Sequence, residues 1–402
     1  MNTGLYLTCN ETNSVSEGFR NVWIYINYVV LGNVVACFGL FTNTLNIIVY
    51  WKHGLSDSIT VALFALSVSD FCMLLTFVML ASFHIPRLFV VSNATTFVRA
   101  VAYYFCGGLR TAFARISVWT TALIACERCM CILFPLKIKY LLTRKKTAWA
   151  IVLGSAMILI ALIPLLLTLQ VETFPDPRSN ATFSRLNFKS VFSPLHHFAF
   201  FLQAIMQNFS LVAIAVANAV LMWALKKRTQ RWASGPAGQR PPNRRMSANN
   251  RPGGEPPENH RQIAFIHLPN DQNRPQPLLS SRSFGPEFRV INRDRIDRKM
   301  GRMVVILSGI HLTCLIPTFV WVWFVQAMPE FKILNSYSKY QCAAHVIWSF
   351  TTLLEVGNAS INILIYYHMS TRYRQTLDTM LAKCRKKQNR VFPAGFQIRR
   401  MR

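Results

Sequence analysis

The chain has 402 residues, is 52% hydrophobic and carries a formal net charge of +28 at pH 7. Its charged residues are concentrated in a few segments and are missing from the long stretches between them. A soluble domain would interrupt its apolar residues with charge every few positions, so this distribution argues against a soluble protein.

Four stretches contain no Asp, Glu, Lys or Arg, and each is longer than the roughly 20 apolar residues that cross a bilayer core of ~30 Å. Three more stretches contain only isolated charges. The sequence therefore predicts an all-α membrane protein with a bundle of seven transmembrane helices. The predicted spans are 24–51, 58–82, 100–134, 147–169, 195–225, 300–327 and 342–367.

The basic residues indicate the orientation in the membrane. Residues 226–302 hold 17 of the 44 Lys and Arg, residues 372–402 hold 10, and residues 137–146 hold five. With seven spans these segments lie on one side, which the positive-inside rule assigns to the cytoplasm. The N-terminus is then predicted outside and the C-terminus inside, and the basic charge needs no nucleic-acid partner.

Glycosylation sequons give an independent check on this topology. Three Asn-x-Thr sequons fall on the predicted outer face, where glycosylation takes place. They are Asn10, Asn93 and Asn180. Three cysteines also lie at or near that face, so a Cys9–Cys342 or a Cys106–Cys342 disulfide is possible, and the sequence does not choose between them.

The predicted organisation has five parts. Residues 226–299 are rich in Pro, Arg, Asn and Gly without apolar periodicity, a composition typical of disorder. Within them Ser247 follows two arginines, a pattern of basophilic kinase sites, and Cys384 near the C-terminus is a candidate for palmitoylation. The parts are an extracellular N-terminus (1–22), helices one to five (23–225), a disordered basic cytoplasmic loop (226–299), helices six and seven (300–367), and a short amphipathic helix with a basic cytoplasmic tail (368–402).

Five short motifs lie at the expected depths of these spans. They are "TNTLN" with Asn43, "LSVSD" with Asp70, "CERC" with Glu127 and Arg128 followed by Pro135 and Leu136, "CLIP" ending at Pro317, and "NILIY" from Asn362 to Tyr366. Together they resemble the motifs of a rhodopsin-like (class A) G-protein-coupled receptor over about residues 22–384, apart from the long loop. The wording of "FARISVW" and "SINILIYYHMSTRYR" is similar to invertebrate receptors, close to molluscan chemosensory-type and FMRFamide-like neuropeptide receptors.

The resemblance implies a receptor in the plasma membrane that binds an extracellular peptide or small chemosensory molecule and activates a heterotrimeric G protein. It implies no enzymatic activity and no cofactor, apart from a possible sodium ion. Three residues depart from the family's pattern: Leu315 replaces a Trp, His311 replaces a Phe and Ile363 replaces a Pro. These departures concern activation rather than the fold.

The inner end of the third span carries the family's switch residues. Neighbouring helix positions point about 100° apart, so Glu127 and Arg128 are not expected to face each other squarely. Arg128 is therefore predicted to exchange partners, with Asp297 at the base of the sixth span as its resting partner. The resemblance also assigns G-protein coupling and switching to further residues: Pro135, Leu136, Asn362 and Tyr366.

Asp70 is a carboxylic acid at mid-membrane, where it must either be protonated or find a cation. The resemblance places Ser117, Asn358 and Asn362 where other oxygen ligands of a sodium ion lie. Such oxygen donors suit a hard cation. The alternative is a protonated Asp70 in a polar network with Asn43.

Arg110 and Glu355 are predicted to face each other across the outer pocket. They either pair as a structural latch or contact ligand groups of opposite charge. Arg115 lies deeper and is predicted to be a packing or network residue. A cation at the position of Arg110 makes an amine ligand unfavourable.

Other classes fit the sequence less well. A transporter or channel, the alternative function, would be expected to show an internal repeat or matched broken helices, and none is evident. A retinal photoreceptor needs a Lys in the seventh span, and none lies between Lys339 and Lys383. No metal-ligand spacing, phosphate loop or nucleophile motif indicates an enzyme.

Overall fold

The computed structural model describes residues 15–85, 93–134, 143–167, 169–175, 182–188, 194–233, 286–331 and 340–391. Within these ranges the chain forms seven long helices and an eighth that follows the seventh. They are α1 (Glu17–His53), α2 (Ser58–Ser82), α3 (Asn93–Leu133), α4 (Arg144–Ile160), α5 (Pro194–Ala233), α6 (Pro286–Ala327), α7 (Gln341–Met369) and α8 (Thr371–Val391). The predicted seven-helix bundle with a following amphipathic helix is confirmed.

Five of these helices are long and apolar enough to cross a membrane within the described ranges. They are Glu17–His53, Ser58–Ser82, Phe105–Leu133, Phe201–Lys227 and Arg298–Ala327. The other two fall short by length or by apolarity, since α4 has 17 residues and α7 contains Glu355 among several Asn, Ser and Thr residues. Polar residues in a spanning helix need hydrogen-bond partners inside the bundle. Helix α7 is therefore expected to contribute to a buried polar site.

Helix α1 begins earlier than predicted and is wider in one segment. Its first turn is capped by Ser16, whose Oγ accepts from the backbone N–H of Phe19 at 3.3 Å. Residues Tyr25–Gly32 form a π-helical stretch before the α-helix resumes. Gly39 allows close packing further along, because a Cβ there would meet the side chains of Ser360 and Leu74. Glycine thus permits the close approach of α1 to α2 and α7.

A two-stranded antiparallel sheet lies between α4 and α5. Strand β1 (Leu169–Pro175) pairs with β2 (Thr182–Phe188) in a register that runs from Leu169 opposite Phe188 to Pro175 opposite Thr182. This hairpin was not predicted, and the fourth span was predicted to continue to residue 169. Instead α4 ends at Ile160 and is followed by a short helix, Ile163–Leu167.

The half of the bundle next to α8 has the larger apolar core, and we call it the inner half because it is predicted to face the cytoplasm. Leu63, Ile124, Leu221 and Leu307 are buried together there with residues of α1, α7 and α8. Helix α8 contributes Tyr373 and Leu377, both buried, which confirms its predicted amphipathic character. The eighth helix is thus anchored to the bundle by one apolar face.

The chain divides into two compact units. The first consists of Met1–Leu225 and Ile296–Arg402 and contains the bundle, and the second is Lys226–Arg295. Both ends of the segment predicted as a disordered loop are helical, because α5 continues to Ala233 and α6 begins at Pro286. Residues 234–285, including Ser247, lie outside the described part of the chain.

Candidate functional site

Asp70 is the centre of a buried hydrogen-bond network in the middle of the bundle. Its side chain is 1% exposed, and its two carboxylate oxygens accept from different helices. Ser117 Oγ on α3 donates to Oδ1 at 2.7 Å, and Asn362 Nδ2 on α7 donates to Oδ2 at 2.7 Å. One carboxylate therefore joins α2, α3 and α7. Three of the four residues predicted around a sodium ion are thus joined by hydrogen bonds, and the fourth, Asn358, borders the same site.

A small cavity borders this network. Its volume, measured for the centre of a water-sized sphere, is ≈ 10 Å³. A cavity of about this size holds one water molecule. Its walls combine two carboxyl groups with an imidazole, an amide and a hydroxyl. The lining residues are Asp70, Met73, Ala114, Ser117, His311, Leu315, Glu355, Asn358 and Ala359.

His311 connects α6 to α7 at this cavity. Its Nδ1 lies 2.9 Å from Asn358 Nδ2. With the amide nitrogen as donor, Nδ1 accepts and the proton of the neutral imidazole lies on Nε2. That Nε2 is buried and has no hydrogen-bond partner among the described residues. The histidine that replaces the family's Phe is therefore part of the polar network, which the sequence did not indicate.

Arg110 and Glu355 form an ion pair between α3 and α7. The distance from Arg110 Nη1 to Glu355 Oε2 is 2.7 Å, and both residues are buried, with 3% and 8% of their surfaces exposed. The predicted proximity of the two side chains is therefore present in the structure. Glu355 also borders the cavity next to Asp70, so the outer pair and the central network are neighbours.

Arg115 lies on a different face of α3. Its Nε donates to Gln207 Oε1 on α5 at 3.2 Å. Five positions along an α-helix advance ~7.5 Å and turn by ~140°, which is why Arg110 reaches α7 and Arg115 reaches α5. Below Arg115 the bundle is apolar, with Val118, Leu211 and Leu315 buried in one cluster.

At the inner end of α3 the two neighbouring charges do meet. Arg128 Nη2 lies 2.8 Å from Glu127 Oε1, so the expectation from the 100° offset alone was wrong. Both side chains are long enough to bend toward each other across that angle. Glu127 Oε2 and Arg128 Nε are buried without a partner among the described residues. The pair is thus joined by one bond and retains unused donor and acceptor capacity.

Several predicted site residues cannot be placed in this network. Asn93, Asp297 and Cys384 lie in α3, α6 and α8, but their side chains are outside the described residues. The predicted Arg128–Asp297 contact therefore remains a prediction. Others lie wholly outside the described ranges: Cys9, Asn10, Pro135, Leu136, Asn180 and Ser247.

A cluster of three tyrosines joins α1, α7 and α8 near the inner surface. The rings of Tyr50, Tyr366 and Tyr373 lie 5.5 to 5.7 Å apart, and Tyr366 is fully buried. Tyr373 Oη donates to Asn46 Oδ1 on α1 at 2.6 Å. Burial raises the pKa of the Tyr373 phenol. This bond was not predicted, although Asn46 is a polar residue in an apolar span.

Polar contacts also run between α1 and α7 through the bundle. Asn43 Nδ2 donates to the carbonyl of Ala359 at 2.8 Å, and Thr42 Oγ1 donates to that of Ser360 at 3.2 Å. Toward the outer end Asn27 Nδ2 donates to Ser349 Oγ at 2.9 Å. We call these three contacts the α1–α7 seam. It holds α1 against α7 through groups that would otherwise be unsatisfied in the bilayer.

One of the two possible disulfides is excluded. Cys342 is disulfide-bonded, whereas Cys106 is a free thiol buried between helices. Cys106–Cys342 is therefore not formed. The other candidate partner, Cys9, lies outside the described residues.

The fold and its buried polar site define a multi-pass helical membrane protein whose network joins α2, α3, α6 and α7. A family model described as "7 transmembrane receptor (rhodopsin family)" matches residues 42–366. The chain therefore belongs to the rhodopsin family of seven-transmembrane receptors, as its motifs predicted. No curated protein matches the chain. The likeness to invertebrate chemosensory and neuropeptide receptors stays a prediction.

Proposed function

We propose that this protein is a plasma-membrane receptor that binds an extracellular peptide or small chemosensory molecule and activates a heterotrimeric G protein. The observation that carries the proposal is the buried network around Asp70, which joins three helices by two bonds of 2.7 Å. Rhodopsin-family receptors signal through such helix bundles and are not enzymes. The chain accordingly acts by changing shape rather than by catalysis.

The outer ion pair supplies the route from ligand to network. Arg110 and Glu355 are two opposite charges that a ligand can separate only by offering each a replacement partner. Separation frees α3 from α7 beside the cavity that Asp70 and Glu355 share. A ligand that binds the separated arrangement more tightly shifts the population toward it. The closed ion pair and the ligand-bound, separated arrangement are then two states of Arg110 and Glu355.

The inner end of α3 is the proposed coupling surface. The single bond between Glu127 and Arg128 leaves Arg128 Nε available among the described residues, which supports exchange of Arg128 between partners. Asp297 is its proposed resting partner on α6. Pro135 and Leu136 extend this surface toward the G protein, and Asn362 and Tyr366 relay the state of α7 to it.

A sodium ion is a proposed occupant of the cavity. Asp70, Ser117, Asn358 and Asn362 offer carboxylate, hydroxyl and amide oxygens, a donor set that fits a small hard cation. Both carboxylate oxygens of Asp70 retain lone pairs beyond the bonds from Ser117 and Asn362. The ion would neutralise the charge of Asp70. A proton on Asp70 would serve the same purpose.

The remaining assignments concern the two faces of the membrane. We place the N-terminus outside and the C-terminus in the cytoplasm, with the bilayer around the bundle. Asn10, Asn93 and Asn180 are then proposed glycosylation sites. Ser247 is a proposed phosphorylation site and Cys384 a proposed palmitoylation site on the cytoplasmic face.

The test is second-messenger output, measured as cAMP and calcium in cells that express the chain or its Arg128→Ala variant. Cells are challenged with amidated neuropeptides, amino acids and small organic acids, and surface expression is measured in parallel. We expect basal or ligand-induced output that Arg128→Ala abolishes while the protein still reaches the surface. Wild-type protein at the surface with no output that Arg128→Ala changes would overturn the proposal.

A further inference from the structure

Arg115 differs from the other arginines held within the bundle. Arg20, Arg110 and Arg128 each have a carboxylate partner, at 3.3, 2.7 and 2.8 Å respectively. Arg115 has none among the described residues, and its one described hydrogen bond goes to the neutral amide of Gln207. An ionised side chain at membrane depth is costly and is normally paired. The position therefore carries a positive charge without a matching negative one.

The neighbouring charges do not remove this excess. The charges of Glu355 and Arg110 both act on the Arg115 guanidinium, and they are opposite in sign. Glu355 is already held by Arg110 at 2.7 Å. Among the described contacts, Glu355 is therefore bonded to Arg110 and not to Arg115.

Arg115 also has N–H groups that can donate further hydrogen bonds. A guanidinium carries five N–H groups, and Gln207 Oε1 accepts only from Nε at 3.2 Å. The side chain is half-buried, so part of its surface remains exposed. Its two Nη groups are arranged as a planar fork that fits the two oxygens of a carboxylate.

We propose that Arg115, supported by Gln207, is the anion-binding subsite at the floor of the ligand pocket, and that it takes a carboxylate group of the ligand. This proposal rests on the receptor function proposed above and names the chemistry of its ligand. Arg110 on the α7 side and Arg115 on the α5 side then have separate roles. The outer pair responds to the ligand, and the deeper arginine fixes its acidic end.

A binding measurement tests the subsite without any signalling step. Purified receptor in lipid nanodiscs is heated in hexanoate or in hexanamide, its neutral counterpart, at equal ionic strength, and the melting temperature Tm is recorded. A short apolar peptide, as the free acid and as the C-terminal amide, shows whether a small acid or a peptide terminus is preferred. We expect the acids to raise Tm and the amides to leave it unchanged.

Variants of Arg115 test whether the rise in Tm depends on this residue. Arg115→Gln is expected to weaken acid binding about tenfold or more, because charge-assisted hydrogen bonds are lost. Arg115→Lys keeps the charge without the fork and is expected to retain part of the shift. Thr313→Val is the control, since its exposed hydroxyl bonds only to Gly309 O in its own helix, at 3.0 Å.

Gln207→Glu is the sharpest variant because it places a carboxylate within reach of Arg115. We expect a higher Tm without ligand and no further rise with hexanoate, since the subsite is then filled from within. A full hexanoate shift in Gln207→Glu or in Arg115→Gln overturns the proposal, and so does the absence of any difference between acids and amides in the wild type. Either result leaves the receptor function standing, because that is decided by the Arg128→Ala signalling test.

Discussion

Helix α3 contributes to two arginine–glutamate pairs, one near its middle and one near its C-terminal end, and the two pairs have almost the same length. Arg110 and Glu355 lie 2.7 Å apart and are separated by 245 positions in the chain, so their bond joins two helices. Arg128 and Glu127 lie 2.8 Å apart but are neighbours on one helix. The outer pair resists separation of α3 from α7, whereas the inner pair resists no movement between helices. Equal distances therefore do not mean equal mechanical roles.

The largest expected effect comes from breaking the outer pair on one side. Glu355→Ala removes the carboxylate that is paired with the buried Arg110 guanidinium, and breaking a buried ion pair on one side typically costs about 3–5 kcal/mol. We expect a large fall in Tm of the purified receptor. The double variant Arg110→Gln with Glu355→Gln is the matched control, because it removes both charges together. Its Tm should lie well above that of Glu355→Ala, and an equal Tm would show that the charge pair is not what stabilises this contact.

A smaller effect is expected at the inner pair. Arg128→Gln removes the charge from a pair made within one turn of a helix, and the Gln amide can still donate to the Glu127 carboxylate. We expect a loss of about 1–2 kcal/mol in the free energy of unfolding, from the charge-assisted bond alone. A fall in signalling much larger than the fall in Tm would show that the inner pair acts in signalling more than in stability. A drop in Tm as large as that of Glu355→Ala would show that the inner pair also joins helices.

The smallest effect is expected for a neutral bond between helices. Tyr373→Phe removes the donor to Asn46, a bond of 2.6 Å, and keeps the ring in its cluster. We expect a cost of about 1 kcal/mol, read as a small fall in Tm. Thr379→Val is the control, because its exposed hydroxyl bonds only to Gln375 O in the same helix. Equal shifts in the two variants would show that the Asn46 contact contributes nothing to the joining of α1 and α8.

Much of the bundle was predictable because hydropathy reports length and burial directly. The helix positions and the amphipathic α8 follow from patterns that depend on residue type and spacing, whereas the neighbours of Asp70 were predicted from the resemblance to the rhodopsin family. The π-helical segment Tyr25–Gly32 was not predictable, since one additional residue per turn leaves no trace in composition. The hairpin after α4 was also missed, because its strands lie almost wholly in the connection between the fourth and fifth predicted spans, where no secondary structure was predicted.

The errors within the site have a common physical origin. Spacing gives the direction of a Cβ, but it does not give the reach of a long side chain. Glu127 and Arg128 meet although their positions diverge, and Arg115 finds Gln207 on a helix that no spacing rule links to it. His311 was identified as a departure from the family, but its bond to Asn358 required the crossing of α6 and α7. Partners on other helices depend on packing, which residue patterns do not contain.

The α1–α7 seam has a consequence for how the protein is made. The helix that emerges first from the ribosome completes its polar contacts with the two helices that emerge last, since Asn43 and Ala359 on α7 are 316 positions apart and Asn46 and Tyr373 on α8 are 327 apart. Before α7 enters the bilayer, the Asn43 amide can bond within α1, where its Nδ2 also donates to the carbonyl of Gly39. Synthesis of the seventh span is therefore the step that closes the bundle between its first and last spanning helices.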